Sequence, residues 1–198
     1  VTGVTDVVDD AHIDPVLSEI YGGLGEVSGP IVEMMQWEAI RTGSTNVKLA
    51  GIVFGHQVVA QALGGEVVKS TKGWGLGVSV HPMQEAKPWM QPGLETIRIL
   101  ASHQDQVAQL PPGATLLAGN DFCPNFMFLQ GDHIVAIQGH PEFSVEYNRA
   151  LIERRRGLLP DERYQSSLSS LEGEVDSATM MQWLLQFLGI LPLRAGAA

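Results

Sequence analysis

The pattern of apolar runs predicts an α/β protein, a three-layer α/β/α domain with a largely parallel central sheet. Three observations carry that expectation. An apolar run (Val47, Leu49, Ala50, Ile52) breaks at a glycine-flanked turn and continues as a helix-like stretch, Val58-Val59-Ala60-Gln61-Ala62-Leu63. Short alternating runs separated by turns follow over 74–138, and the chain then returns to helical periodicity. At 198 residues with 44% hydrophobic content it can bury one core, and two would be cramped, so a single domain over 1–198 is expected.

Taken in order, Val1-Thr2-Gly3 reads as the end of a strand, so either earlier strands precede Val1 or the first elements are unusual. Residues 6–30 are acidic and glycine-bearing (Asp9-Asp10, Gly22-Gly23, Gly25, Gly29-Pro30) and read as a mobile loop or insert with a short helix around 14–21. Ile31, Met34, Met35 and Trp37 recur at roughly helical spacing, predicting a helix over 31–40. Gly64-Gly65 stops the helix that follows the turn, and Glu66–Lys69 begins an extended segment. Strands are expected over Leu76–Val80, Thr96–Ala101, Thr115–Ala118, Phe126–Leu129 and Ile134–Gln138, with a hairpin at Gln130-Gly131-Asp132. Two helices close the chain, near 144–156 and 177–189. Asp176 or Ser177 is placed to cap the second, and Met180, Met181, Trp183, Leu184, Phe187 and Leu188 supply its apolar face.

The turn Gly51-Ile52-Val53-Phe54-Gly55-His56-Gln57 carries the functional question. Small residues on either side of its centre let the backbone bend sharply and push the central side chain into the cleft above the sheet, the build of a nucleophile elbow. Serine or cysteine suits that geometry, yet the centre is Val53, which cannot be deprotonated or carry an acyl group. Ligands bind beyond the carboxyl ends of strands in such sheets, and the turn lies at that edge. Downstream, Ile137-Gln138-Gly139-His140-Pro141-Glu142-Phe143 should bring His140 and Glu142 to the same edge. A carboxylate beside an imidazole fixes its tautomer and stabilises the imidazolium, as general-base work requires.

Bulk properties narrow the alternatives. A formal net charge of −10 argues against nucleic acid as a partner. The basic cluster Arg154-Arg155-Arg156 reads as the solvated last turn of a helix. No apolar run is long enough to cross a membrane and the N-terminus lacks a basic leader, so a soluble, cytoplasmic protein is expected. The single cysteine, Cys123, forms no internal disulfide; between Phe122 and Pro124 it reads as a small core residue rather than a replacement nucleophile. His12, His56, His81 and His133 lack the ligand spacing of a metal site, and His81 precedes a proline in a turn, so neither metal nor cofactor is expected. Lys72-Gly73-Trp74-Gly75-Leu76-Gly77 fails as a phosphate loop and reads as a strand approaching the cleft, with Trp74 as a wall. Trp37, Trp89 and Trp183 read as core or loop anchors.

Gly51–Gln57, Ser102-His103-Gln104-Asp105 and Gln138–Glu142 together resemble three motifs of the class I glutamine amidotransferases, over roughly residues 46–190. The similarity is to the amidotransferase half of GMP synthetase and its stand-alone relatives, in which the elbow reads Gly-Ile-Cys-Phe-Gly-His-Gln. The resemblance implies a flavodoxin-like three-layer fold. It places the family's nucleophile on Val53, its general base on His140 and its orienting acid on Glu142. The Phe54 N–H would be one oxyanion donor and the Gly3 turn the other, with Gln57, Ser102 and His103 contacting the glutamine backbone. Family enzymes split glutamine through a thioester and pass ammonia to a synthetase. With Val53 at the elbow, glutamine hydrolysis is expected to be absent. The pocket would then serve glutamine or a related small amide or amino-acid ligand, by binding alone or in a non-covalent reaction using His140 and Glu142. Two alternatives stay open: a non-catalytic scaffold subunit for a synthetase or biosynthetic partner, and a nucleophile-replaced variant of an active amidotransferase.

Overall fold

The computed structural model describes residues 48–193. The expected strand end at 1–3, the loop and helix over 6–30 and the helix over 31–40 fall outside them, as do Gly3, His12 and Trp37. Strand β1 (Leu49–Ile52) leads into helix α1 (Phe54–Ala62). Seven strands follow: β2 (Glu66–Lys69), β3 (Gly75–Pro82), β4 (Thr96–His103), β5 (Asp105–Gln109), β6 (Ala114–Ala118), β7 (Met127–Gln130) and β8 (Ile134–Ile137). Helix α2 (Val145–Arg154), a 3-10 turn over Arg156–Leu158, α3 (Asp161–Ser170) and α4 (Ser177–Phe187) close the described chain.

The central sheet has the order β1-β8-β7-β6. β1 runs parallel to β8, with Leu49 opposite Ile134 and Ile52 opposite Ile137, whereas β7 is antiparallel to both β8 and β6. Among the described residues the expected largely parallel sheet is therefore corrected to a mostly antiparallel one. Connection length is the reason. β7 and β8 are joined only by Gly131-Asp132-His133, with Gly131 at φ 59°, and so short a link forms a hairpin where a parallel pair needs a crossover of a dozen or more residues. β1 and β8 are separated by most of the described chain and have that freedom. The pairs β2–β5 and β3–β4 form separate antiparallel ladders.

Strand periodicity divides the sheet's side chains between two layers of helix. Phe128, Ile134 and Ala136 pack with Val59 and Ala60 of α1 and Val107 of β5. The alternate residues Met127, Leu129, Val135 and Ile137 pack with Ile97 and Ile99 of β4 and with Met180, Trp183, Leu184 and Phe187 of α4. A third cluster, Leu76, Leu100, Ile152, Tyr164 and Leu171, seats α2 and α3 on the β3–β4 ladder. The fold is mixed α/β with a central sheet between helices, as expected.

Several local expectations change. The closing helices are shorter than 144–156 and 177–189; α4 ends at Phe187, and Gly189 beyond it adopts φ 74°. Ser144 caps α2 by accepting from the Tyr147 N–H at 3.1 Å. Asp176 stands at the start of α4 without capping it, because its carboxylate accepts from the Arg98 N–H at 2.8 Å. Arg155 is buried, not solvated: its guanidinium lies 4.4 Å from the centre of the Trp74 ring and donates to the Leu151 carbonyl. His81 is not in a turn but inside β3, buried and stacked 3.6 Å from Phe126. No helix of the described residues is long and apolar enough to cross a membrane.

Candidate functional site

The turn after β1 has the expected elbow geometry. Val53 adopts φ 49°, ψ −96°, and is the one non-glycine residue at positive φ among those described. For a β-branched side chain that conformation costs on the order of 1–3 kcal/mol and persists only where neighbours enforce it. They do so through hydrogen bonds at both faces of residue 53: its N–H donates to the Ile137 carbonyl at 2.8 Å, and its own carbonyl accepts from the Gln57 N–H at 3.1 Å. Gly51 is needed for the bend, since a Cβ there would lie 2.8 Å from the Gly55 carbonyl oxygen. Val53 offers no side-chain cap to the start of α1, so among the described residues the first-turn N–H groups, that of Phe54 included, have no side-chain acceptor. Val53 itself is buried.

The second half of the site leaves β8 beside the elbow, because Ile137 is both the last residue of β8 and the acceptor for Val53. Gly139 fits only without a side chain: a Cβ would fall 2.3 Å from Ile99 Cγ2 and against the Phe126 ring. His140 follows, its N–H donating to the Leu100 carbonyl at 2.8 Å and its ring stacked 3.8 Å from Phe143. The His140 Nδ1 lies 2.7 Å from Glu142 Oε1. An ionised carboxylate only accepts, so in this contact the imidazole donates through Nδ1–H. The ring's Nε2 is buried and has no hydrogen-bond partner among the described residues.

The other expected residues are distributed around this pair. Gln57 donates to the Asp105 carbonyl at 2.9 Å and to Gln138 Oε1 at 3.3 Å, tying α1 to β5 and to the segment after β8. His56 Nε2 meets the Asn125 carbonyl at 2.9 Å. Ser102, on β4, is fully buried with its hydroxyl unpartnered; His103, the next residue, is buried edge-on to Phe122. Burial pulls the His103 pKa down to about 4, and the neighbouring His140 adds to that depression. Phe54 is half exposed at the surface of the turn. Gly3 lies outside the described residues. Cys123 is a buried core residue whose thiol burial pushes up to about 12, so it is a poor nucleophile as expected. Among the described residues, no group of histidines, cysteines and carboxylates could hold a metal.

Gln138 and Phe143 brace Gln57 and the His140 ring, a role that sequence reasoning misses. The signal that could have found Gln138 is its position before Gly139, a glycine the packing against Ile99 and Phe126 requires.

Comparison with known proteins bears on the family and the fold. Residues 9–156 match the family described as glutamine amidotransferase class-I. A glutamine amidotransferase-like protein of Schizosaccharomyces pombe is 29% identical over 145 residues, 72% of this chain and 58% of that one. Gamma-glutamyl peptidase 3 of Arabidopsis thaliana is 34% identical over 133 residues, 63% of this chain and 53% of the relative. A subunit of the glutamine-hydrolysing GMP synthase from Thermococcus kodakarensis is 36% identical over 99 residues, 49% of this chain and 52% of the relative. The chain thus spans about half the length of the curated relatives it matches. A crystal structure of a glutamine amidotransferase from Thermotoga maritima shares the fold at a TM-score of 0.64 and 19% identity, covering 89% of this chain and 74% of that one.

Proposed function

Since the chain belongs to the glutamine amidotransferase class-I family, we propose that it keeps that family's elbow and base without the nucleophile. On this reading it binds glutamine or another γ-glutamyl compound and does not cleave it through a covalent intermediate. The observation that carries the reading is the valine at φ 49° in the turn between β1 and α1, hydrogen-bonded to the strand from which His140 emerges. An elbow exists to present an attacking atom, and valine has neither a proton to lose nor a lone pair to give. The similarity to gamma-glutamyl peptidases and to a GMP synthase subunit supports a γ-glutamyl ligand and a synthetase-like partner.

A second reading is favoured by the intact His140–Glu142 bond. A buried imidazole with a free Nε2 and an oriented Nδ1–H can take a proton from water, so direct hydrolysis without a thioester is the chemistry left to this pair. It would be slow, because loss of the nucleophile in a covalent triad removes roughly 10⁶-fold of the rate in a well-studied protease.

The test is ammonia release from glutamine, and glutamate release from a γ-glutamyl dipeptide, by the chain as it stands and by Val53→Cys. The expected result is no detectable turnover from the first and a gain of at least about 10³-fold from the second. Hydrolysis by the unchanged chain at a rate the variant does not improve would remove the central reading. Calorimetric titration with glutamine decides between binding and a scaffold role; no heat at millimolar ligand would remove the bound-ligand reading.

A further inference from the structure

Away from the elbow, a cleft of about 620 Å³ opens between the turn after β2 and the segment that enters α3. Lys69, Lys72 and Arg163 line it, together with Trp74, Leu159 and Pro160. Among the described residues no carboxylate lines it, although Glu66 shares β2 with Lys69 and Asp105 stands opposite Lys69 on β5. None of the three cations forms an ion pair among the described residues. In a protein with a formal net charge of −10, unpaired positive charge gathered in one concave place is the reverse of what the composition favours.

The groups are also held in position. Arg163 Nε and Nη2 both donate to the Trp74 carbonyl, at 3.2 and 2.7 Å, and its guanidinium lies 5.0 Å from the centre of the Phe122 ring. Lys72 Nζ donates to the Asp121 carbonyl. Both tethers are neutral carbonyls, which orient the cations and leave their charge uncompensated. Gly73 completes the turn at φ 80°, with open space where a side chain would project. The volume falls in the range of small-molecule sites, and Trp74, Leu159 and Pro160 add apolar lining beside the cations.

We propose that this cleft is a binding site for a small organic oxyanion, a carboxylate or phosphate ester on an apolar body, separate from the elbow. Lys69, Lys72 and Arg163 would take the oxyanion and Trp74 with Leu159 the body, since charge-assisted hydrogen bonds fix orientation while apolar burial adds affinity. The site borders the elbow region through Gln104, which follows His103 and also lines the cleft, and through Arg163, whose charge acts on His103.

Calorimetric titration of the whole chain with phenylacetate, phenyl phosphate and benzylamine at low salt tests this. Binding of one or both anions in the submillimolar range is expected, weakened at least about tenfold by the surface double variant K69E/K72E, with no heat from benzylamine. Phenylacetate binding alone names a carboxylate site and phenyl phosphate binding alone a phosphate site. Absence of heat from both anions, equal affinity in K69E/K72E, or equal binding of benzylamine would overturn it. Glutamine is titrated alongside: its response belongs to the elbow and should be unchanged in K69E/K72E, so failure at one site is told apart from failure at the other.

Discussion

The two glycines that flank Val53 are not equivalent, though the sequence presents both as bend-makers. Gly51 has no room for a Cβ, which would lie 2.8 Å from a backbone oxygen that cannot move without unwinding the turn, whereas Gly55 has nothing within 4 Å and sits in the first turn of α1. Gly51→Ala should therefore destabilise the protein by about 1–3 kcal/mol, while Gly55→Ala should stabilise it by up to about 1 kcal/mol through helix propensity. Urea midpoints at equal slope check both, and equal losses would mean that the turn is not the tight corner described above. The motif residues are legible in the sequence because the chemistry of an elbow and of a His-X-Glu pair is written at short spacing. The partners of Gln57 are not, since Asp105 and Gln138 reach it only after β5 and β8 have been folded beside α1.

Among the elements, α4 is legible in the sequence and α3 is not, and packing explains the difference. α4 buries Met180, Trp183, Leu184 and Phe187 against the sheet and shows a helical stripe of large apolar residues. α3 brings fewer large apolar residues to the ladder, Tyr164 and the partly buried Leu168, and meets β3 through small and polar groups as well. Ser170 Oγ donates to the Ser167 carbonyl and accepts from the Val78 N–H at 2.9 Å, and a Cβ on Gly77 would strike that hydroxyl. A helix seated in part by serines and a glycine leaves a weaker hydrophobic signal. Trp183→Ala should cost about 3–5 kcal/mol, from lost burial and from the carbonyl of Pro92, which the indole N–H meets at 2.9 Å. A loss below about 1 kcal/mol in chemical denaturation would show that α4 is not part of the core. Continuous apolar runs mark β7 and β8, buried on both faces, but they say nothing about which strand lies beside which. Among the described residues the parallel sheet expected from the elbow survives only in the β1–β8 pair, and β6, β7 and β8 are antiparallel neighbours.

At the scale of the whole molecule, three of the buried imidazoles among the described residues couple stability to pH. Burial, the largest cause in each case, holds His56 and His81 down to about 3 and His103 to about 4, from an ordinary value of 6.5. The folded state therefore keeps them neutral while the unfolded chain binds protons below about pH 6.5. Their stabilisation is fully present above that pH and is lost as pH falls through the interval down to about 3–4, at no more than about 1.4 kcal/mol per pH unit for each histidine. His81 is the clearest case, stacked on Phe126 with neither ring nitrogen hydrogen-bonded. His81→Phe should raise the melting temperature more at pH 5 than at pH 8, and an equal shift at both would contradict a neutral buried imidazole.

The functional reading rests on residue 53 standing where an attacking atom would face the His140 imidazole. Mass spectrometry after treating Val53→Cys with a glutamine analogue bearing an electrophilic chloroketone at the amide position tests that placement. One adduct at residue 53 is predicted, with Cys123 unmodified because it is buried and its thiol is held protonated, and with labelling sharply slowed in Val53→Cys/His140→Ala. A residue 53 that stays unlabelled, or that reacts no faster with the glutamine analogue than with a simple chloroketone, would contradict it.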